Sequence, residues 1–117
     1  MWLNFLKYDS LEIKSKLEGE IRFGPVFLIL KSNPEIKEFN NKIFGDWFYK
    51  YNYKLYLQEW NSTLNPNTNL ISINLINYEY QIIIENIKSV SWEMELRSNQ
   101  LYFIDQYNKK EYLINES

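Results

Sequence analysis

A chain of 117 residues with 45% apolar side chains and a formal charge of −2 has room for one compact domain, 1–117, and is too apolar to stay disordered. It contains no histidine and no cysteine, which removes the commonest general base, the thiolate ligand, the thiol nucleophile and every disulfide. Ser-His-Asp and Cys-His arrangements cannot be built from it. The three glycines, Gly19, Gly24 and Gly45, form no phosphate-cradling spacing, and no loop carries the clustered oxygen ligands of a calcium site. The expectation is a protein that is not an enzyme and uses no cofactor and no metal.

The longest apolar run, Val26 to Leu30, is far too short to span a bilayer. The opening "MWLNFLKYDSLEIK" lacks the basic-then-apolar order of a secretion signal, so a cytoplasmic location is expected. Alanine is absent while Asn, Ile, Lys, Tyr and Phe abound, the bias of an AT-rich genome. Tryptophan escapes that bias because its codon is not AT-rich, which makes Trp2, Trp47, Trp60 and Trp92 the informative aromatics.

In chain order, residues 1–18 fit either helix or strand: Trp2, Phe5 and Leu6 have helical spacing, whereas Leu11 and Ile13 alternate. "EIRFGPVFLILK" reads as extended, interrupted at Gly24-Pro25. Ser32 or Asn33, with Pro34 next, opens one short helix near 34–43, with Ile36, Phe39 and Ile43 as its stripe; an irregular loop is the other reading. Two strands around Asn52 follow, with Phe44, Phe48, Leu55 and Leu57 on a core side. Their other side carries Trp47, Tyr49, Tyr51, Tyr56, Gln58 and Trp60, either a packed layer or a recognition surface. "NSTLNPNTN", Asn61 to Asn69, reads as the one long loop.

Beyond it, period two dominates. "NLISINL" and "YQIII" are strands, the second flanked by Glu79 and Glu85 as guards against aggregation. Val90, Trp92, Met94 and Leu96 alternate with Ser89, Ser91, Glu93, Glu95 and Arg97, a half-buried strand, apolar on one face and charged on the other. Ser98-Asn99 turns it into "QLYFID", and "KEYLI" closes the chain. The sum is a mainly β fold, an antiparallel meander of seven to nine strands curled into a sandwich or partial barrel.

"FGDWF", "LYLQEWNST" and "NTNLISINL", with "FGP" at Phe23 to Pro25 upstream, resemble a pattern in small immunity proteins of bacterial polymorphic and contact-delivered toxin systems. The similar part covers about Gly19 to Leu75. The resemblance implies a protein that binds one cognate toxin domain and blocks its active site or substrate access, and it carries over no site residue.

Charge fits that expectation. Residues 1–54 hold nine basic and seven acidic groups, net +2, and residues 55–117 hold four basic and eight acidic, net −4. Many such toxins are nucleases with basic clefts, which an acidic surface attracts. The expected contact set is Tyr53, Tyr56 and Trp60 with Glu59, Glu93 and Glu95. No nucleic acid and no membrane is expected as partner, the lysines forming no evident stripe, and the chain is expected as a monomer or weak homodimer. A carbohydrate-binding β-module with stacking aromatics, or an adaptor that pairs through a sheet edge, are the alternatives.

Overall fold

The computed structural model describes residues 1–20, 26–64 and 66–114; the expected interruption at Gly24-Pro25 lies outside them. Within them are ten strands: β1 (Leu3–Tyr8), β2 (Leu11–Glu20), β3 (Val26–Asn33), β4 (Ile43–Tyr51), β5 (Lys54–Ser62), β6 (Asn67–Asn74), β7 (Tyr80–Ile87), β8 (Trp92–Arg97), β9 (Gln100–Asp105) and β10 (Lys110–Leu113). β1 to β7 pair in chain order as one seven-stranded antiparallel sheet, and β8 to β10 form a separate three-stranded one.

Turn chemistry sets the registers. Asn52, at φ 55°, makes the two-residue link in which Tyr51 pairs with Lys54. Ser98 and Asn99, at φ 49° and 65°, do the same between Arg97 and Gln100. Positive φ at both central residues, as at Ser98-Asn99, matches the twist of a tight hairpin, and Asn tolerates it better than most residues.

Every strand pair of the large sheet except β3–β4 carries a register shift. Each bulge bends its strand, so the sheet curls. The curl brings Phe5 of β1 edge-on to Phe48 of β4 at 5.4 Å, and Ser10 shares a 2.7 Å hydrogen bond with the Tyr78 hydroxyl. Among the described residues no ladder closes it: β1 pairs only with β2, and β7 only with β6. The concave face holds one core, with Leu11, Ile13, Leu30, Phe44, Leu55 and Ile73 at its centre. A second core lies on the opposite face, where Tyr56 and Leu70 meet Trp92, Met94, Leu101 and Phe103 of the small sheet.

Several expectations change. The ambiguous N-terminus is a β-hairpin. The helix near 34–43 shrinks to a 3-10 turn, Lys37–Phe39, although Ile36 and Phe39 are buried as its stripe required. So short a helix has little stability of its own, and Asn41 (φ 62°) ends the segment before Ile43 begins β4. The loop expected over Asn61 to Asn69 is mostly strand, because Asn61, Asn67 and Asn69 bond one another across the β5–β6 pair. Phe48 and Leu96 lie on core-facing sides but at margins, and both stay exposed. On β7, Asn86 (φ 57°) sits in a bulge, and Glu79 and Glu85 are exposed beside the run. An irregular, charge-flanked edge resists pairing with another chain.

Candidate functional site

Alternation on β5 separates the expected contact residues. Leu55, Leu57 and Glu59 turn to the concave face, and Tyr56, Gln58 and Trp60 to the opposite one. All six are buried. Tyr56 belongs to the second core. Trp60 donates its indole N–H to Gln58 Oε1 at 2.9 Å and packs on Phe27, ring centres 5.8 Å apart. Neither ring is presented to a partner, which corrects the expectation that Tyr56 and Trp60 form a contact surface.

Glu59 is also an interior group. Its carboxylate is 2.7 Å from the Lys42 ammonium and accepts hydrogen bonds of 2.7 Å from both the Tyr80 hydroxyl and Asn69 Nδ2. Burial alone would raise its pKa, but Lys42, Asn69 and Tyr80 outweigh that and hold the carboxyl below the usual range. Burial and the neighbouring Glu59 charge push the Tyr80 phenol up, beyond the range it titrates in water. The cluster stitches the start of β4 to β5, β6 and β7, a structural task.

The pH consequence has a sign at each end. Glu59, depressed in the fold, contributes stability that is complete above the unfolded value of about 4.3 and is lost as pH falls through the folded one. Tyr80, raised in the fold, contributes stability that is complete below about 10 and is lost as pH rises further. Denaturation midpoints should therefore be flat between these limits and fall outside them. Glu59→Gln should lower the neutral plateau by about 2 kcal/mol and flatten the acid limb. An acid limb as steep as before would show that Glu59 is not the titrating group.

The remaining expected residues do lie together. On β8, Trp92 and Met94 turn into the second core, so Glu93, Glu95 and Arg97 turn outward. The β8–β9 register sets Ile104 beside Glu93 and Tyr102 beside Glu95, and the β9–β10 register adds Glu111 and Leu113 to the same face. Arg97 organises it. Its guanidinium makes a two-pronged contact to Glu111 (2.7 and 3.1 Å), a second to Glu95 (both 3.1 Å), and lies 4.8 Å over the Tyr102 ring. Arg97 holds both carboxyls below the usual range. Gln106 Nε2 donates to Glu93 at 2.9 Å.

At one end this face meets a cleft of about 280 Å³ between the sheets, where Tyr53 stands across from Gln100 and Leu113. Tyr53, Glu93 and Glu95 thus border one continuous surface, 48% of Tyr53 being exposed. Arg97, Tyr102, Ile104, Glu111 and Leu113 were missed. The signal was present: parity from Trp92 and Phe103, carried across the Ser98-Asn99 turn, places all of them outward except the two on β10.

Two polar ties fix the small sheet in place. Thr68 Oγ1 donates to the carbonyl oxygens of Ile87 and Ser89 (3.1 and 2.8 Å), and Gln58 Nε2 donates to the Val90 carbonyl (3.2 Å). At the end of β9, buried Asp105 accepts from Ser89 Oγ of the β7–β8 linker (2.7 Å) and from Asn108 Nδ2 (2.8 Å). Burial raises the Asp105 pKa, but Asn108 and Ser89 outweigh it and leave the carboxyl below its ordinary value.

Among the described residues no group of three or more acidic side chains is placed to hold a metal ion. Compared with protein-family models, with curated proteins and with solved structures, the chain matches none.

Proposed function

We propose that the chain is a non-catalytic inhibitor of the immunity type, acting in the cytoplasm and binding the catalytic domain of one cognate secreted toxin. The observation that carries the reading is the outer face of β8–β10. Three carboxylates surround one tyrosine, and Arg97 clamps two of those carboxylates. Buried tyrosine and arginine are the anchors that protein interfaces favour, and side chains already held in place lose little entropy on binding. Three Glu against one Arg leave the face negative, as a basic partner cleft would require. The toxin surface lies across this face with Tyr53 at its edge, and the two sheets serve as the layers of a sandwich, the larger supporting the smaller.

The carbohydrate reading needs stacking rings at the surface. Trp60 and Trp92 are buried and Trp47 packs edge-on to Trp92, so that reading gains nothing from three of the four tryptophans.

Co-purification with the product of the neighbouring gene from the native host tests the partner class. With that partner in hand, Glu93→Lys combined with Glu111→Lys is expected to weaken binding about 100-fold, mainly by slowing association and reducing its salt dependence. Unchanged affinity in a folded double variant would remove this face from the interface.

A further inference from the structure

We propose a second binding surface, of opposite sign, on the outer face of β1–β3, which takes an extended acidic polypeptide segment along the open edge of β3. On β2 the buried residues are Leu11, Ile13 and Ser15, so Lys14 and Lys16 turn outward. The registers add to them: Lys31 lies directly opposite Lys14, and Lys7 opposite Glu12. Four lysines scattered in sequence are thereby collected on one face, with Glu12 as the acidic neighbour, 3.9 Å from Lys14. The stripe that was not evident in the linear chain exists in the fold. Like charges directly opposite across a ladder are destabilising, so the Lys14–Lys31 pair gains from an added anion.

Two features choose a polypeptide over other anions. Among the described residues the β3–β4 ladder consists of Phe27 with Gly45 and Leu28 with Phe44. Beyond Leu28 the strands part, because the segment with Ile36 and Phe39 dips into the concave core before β4 begins. A groove of about 600 Å³ opens there, lined by Trp2, Ile29, Lys31, Phe39, Asn40 and Lys42, with Glu18 also on its wall. An added strand satisfies a sheet edge with its own backbone and sets alternate side chains into such a groove. Lys31 already lies 4.3 Å over the Trp2 ring, placing an ammonium beside an apolar wall. Acidic residues of the incoming strand face the lysines on the outer side, which Ile29 shares, and the alternate small apolar ones turn to the other side of the groove, toward Leu30 and Phe39. A nucleic-acid strand would use the charges but not the ladder.

The probe is the acetylated, amidated heptapeptide Glu-Val-Glu-Val-Glu-Val-Glu, titrated into the full chain labelled with nitrogen-15, with a fifteen-residue oligouridylate in a parallel arm. Shifts confined to Ile29–Asn33, Asn40–Lys42 and the Trp2 indole are expected, with slowed amide exchange on alternate residues of β3. Lys31→Glu turns the repulsive cross-strand pair into an attractive one, so the variant should fold, and it should weaken peptide binding at least fivefold. No shift, shifts over the lysines without protection of β3, unchanged affinity in Lys31→Glu, or tighter binding of the oligouridylate would each overturn the proposal. The result does not depend on the β8–β10 face, whose charge-reversal variant should bind the peptide as the unaltered chain does.

Discussion

Trp92→Ala is expected to destabilise the chain by about 3–5 kcal/mol, a large part of the 5–15 kcal/mol that holds a typical domain. Trp92 is the centre of the second core: its ring lies 4.9 Å from Phe103 and 5.1 Å from Trp47, edge-on to both. The Phe103 contact is internal to the small sheet, but the Trp47 contact crosses to β4. Truncation therefore leaves a cavity at the junction of the two sheets, where no ladder holds them together. The indole N–H also donates to the Ser89 carbonyl at 3.3 Å, so the Thr68-bonded linker loosens as well. Near-ultraviolet circular dichroism should weaken, and urea unfolding should show the loss as a lower midpoint. Binding to the β8–β10 partner should fall even where most of the variant is folded, because Glu93 directly follows the altered position and Glu95 lies two residues further along β8. A change below about 1 kcal/mol would mean that the small sheet docks by other contacts.

Much of this fold is legible in the chain, and the reasons for what is not are physical. Alternation at Trp92–Arg97 and Leu55–Trp60, and turn residues at Asn52 and Ser98-Asn99, are local features that survive folding unchanged. Phe44, Leu55 and Leu57 are placed in the core by parity alone. The second layer could not be read, because which apolar face of a strand is covered depends on the path of distant segments. Tyr56 and Trp60 have the composition of an interface, yet the small sheet and Phe27 cover them. Glu59 shows the same limit: its charge suggested a surface, but Lys42 from the link before β4, Asn69 from β6 and Tyr80 from β7 come together to satisfy it. The bulges are equally silent, and they determine the curl. Of the expected contact set, Tyr53 at the turn and Glu93 and Glu95 on β8 lie at the surface, the two glutamates because alternation with Trp92 and Met94 left them one side to occupy.

Gly45→Ala should cost about 3 kcal/mol, combining the usual penalty of overpacking with that of a buried polar group left without its partner. Gly45 has an ordinary negative φ, so the cause is space and not backbone freedom. It pairs with Phe27 where β3 and β4 meet, and a methyl group there would run into Gln58 Oε1 and come within 2.8 Å of Trp60 Nε1. Those two atoms are hydrogen-bonded to each other, and the other end of the same carboxamide holds the Val90 carbonyl. Pushing Gln58 aside therefore strips the buried indole of its acceptor and releases one of the ties that hold β8. A double-mutant cycle isolates this chain of effects. If the methyl group acts through Gln58, Gly45→Ala in a Gln58→Ala background should cost at least 1 kcal/mol less than in the unaltered chain. Equal costs in the two backgrounds would place the strain in the β3–β4 backbone instead. Where the cycle does show coupling, Gly45→Ala should also weaken partner binding, since Val90 lies two residues before Trp92 and three before Glu93.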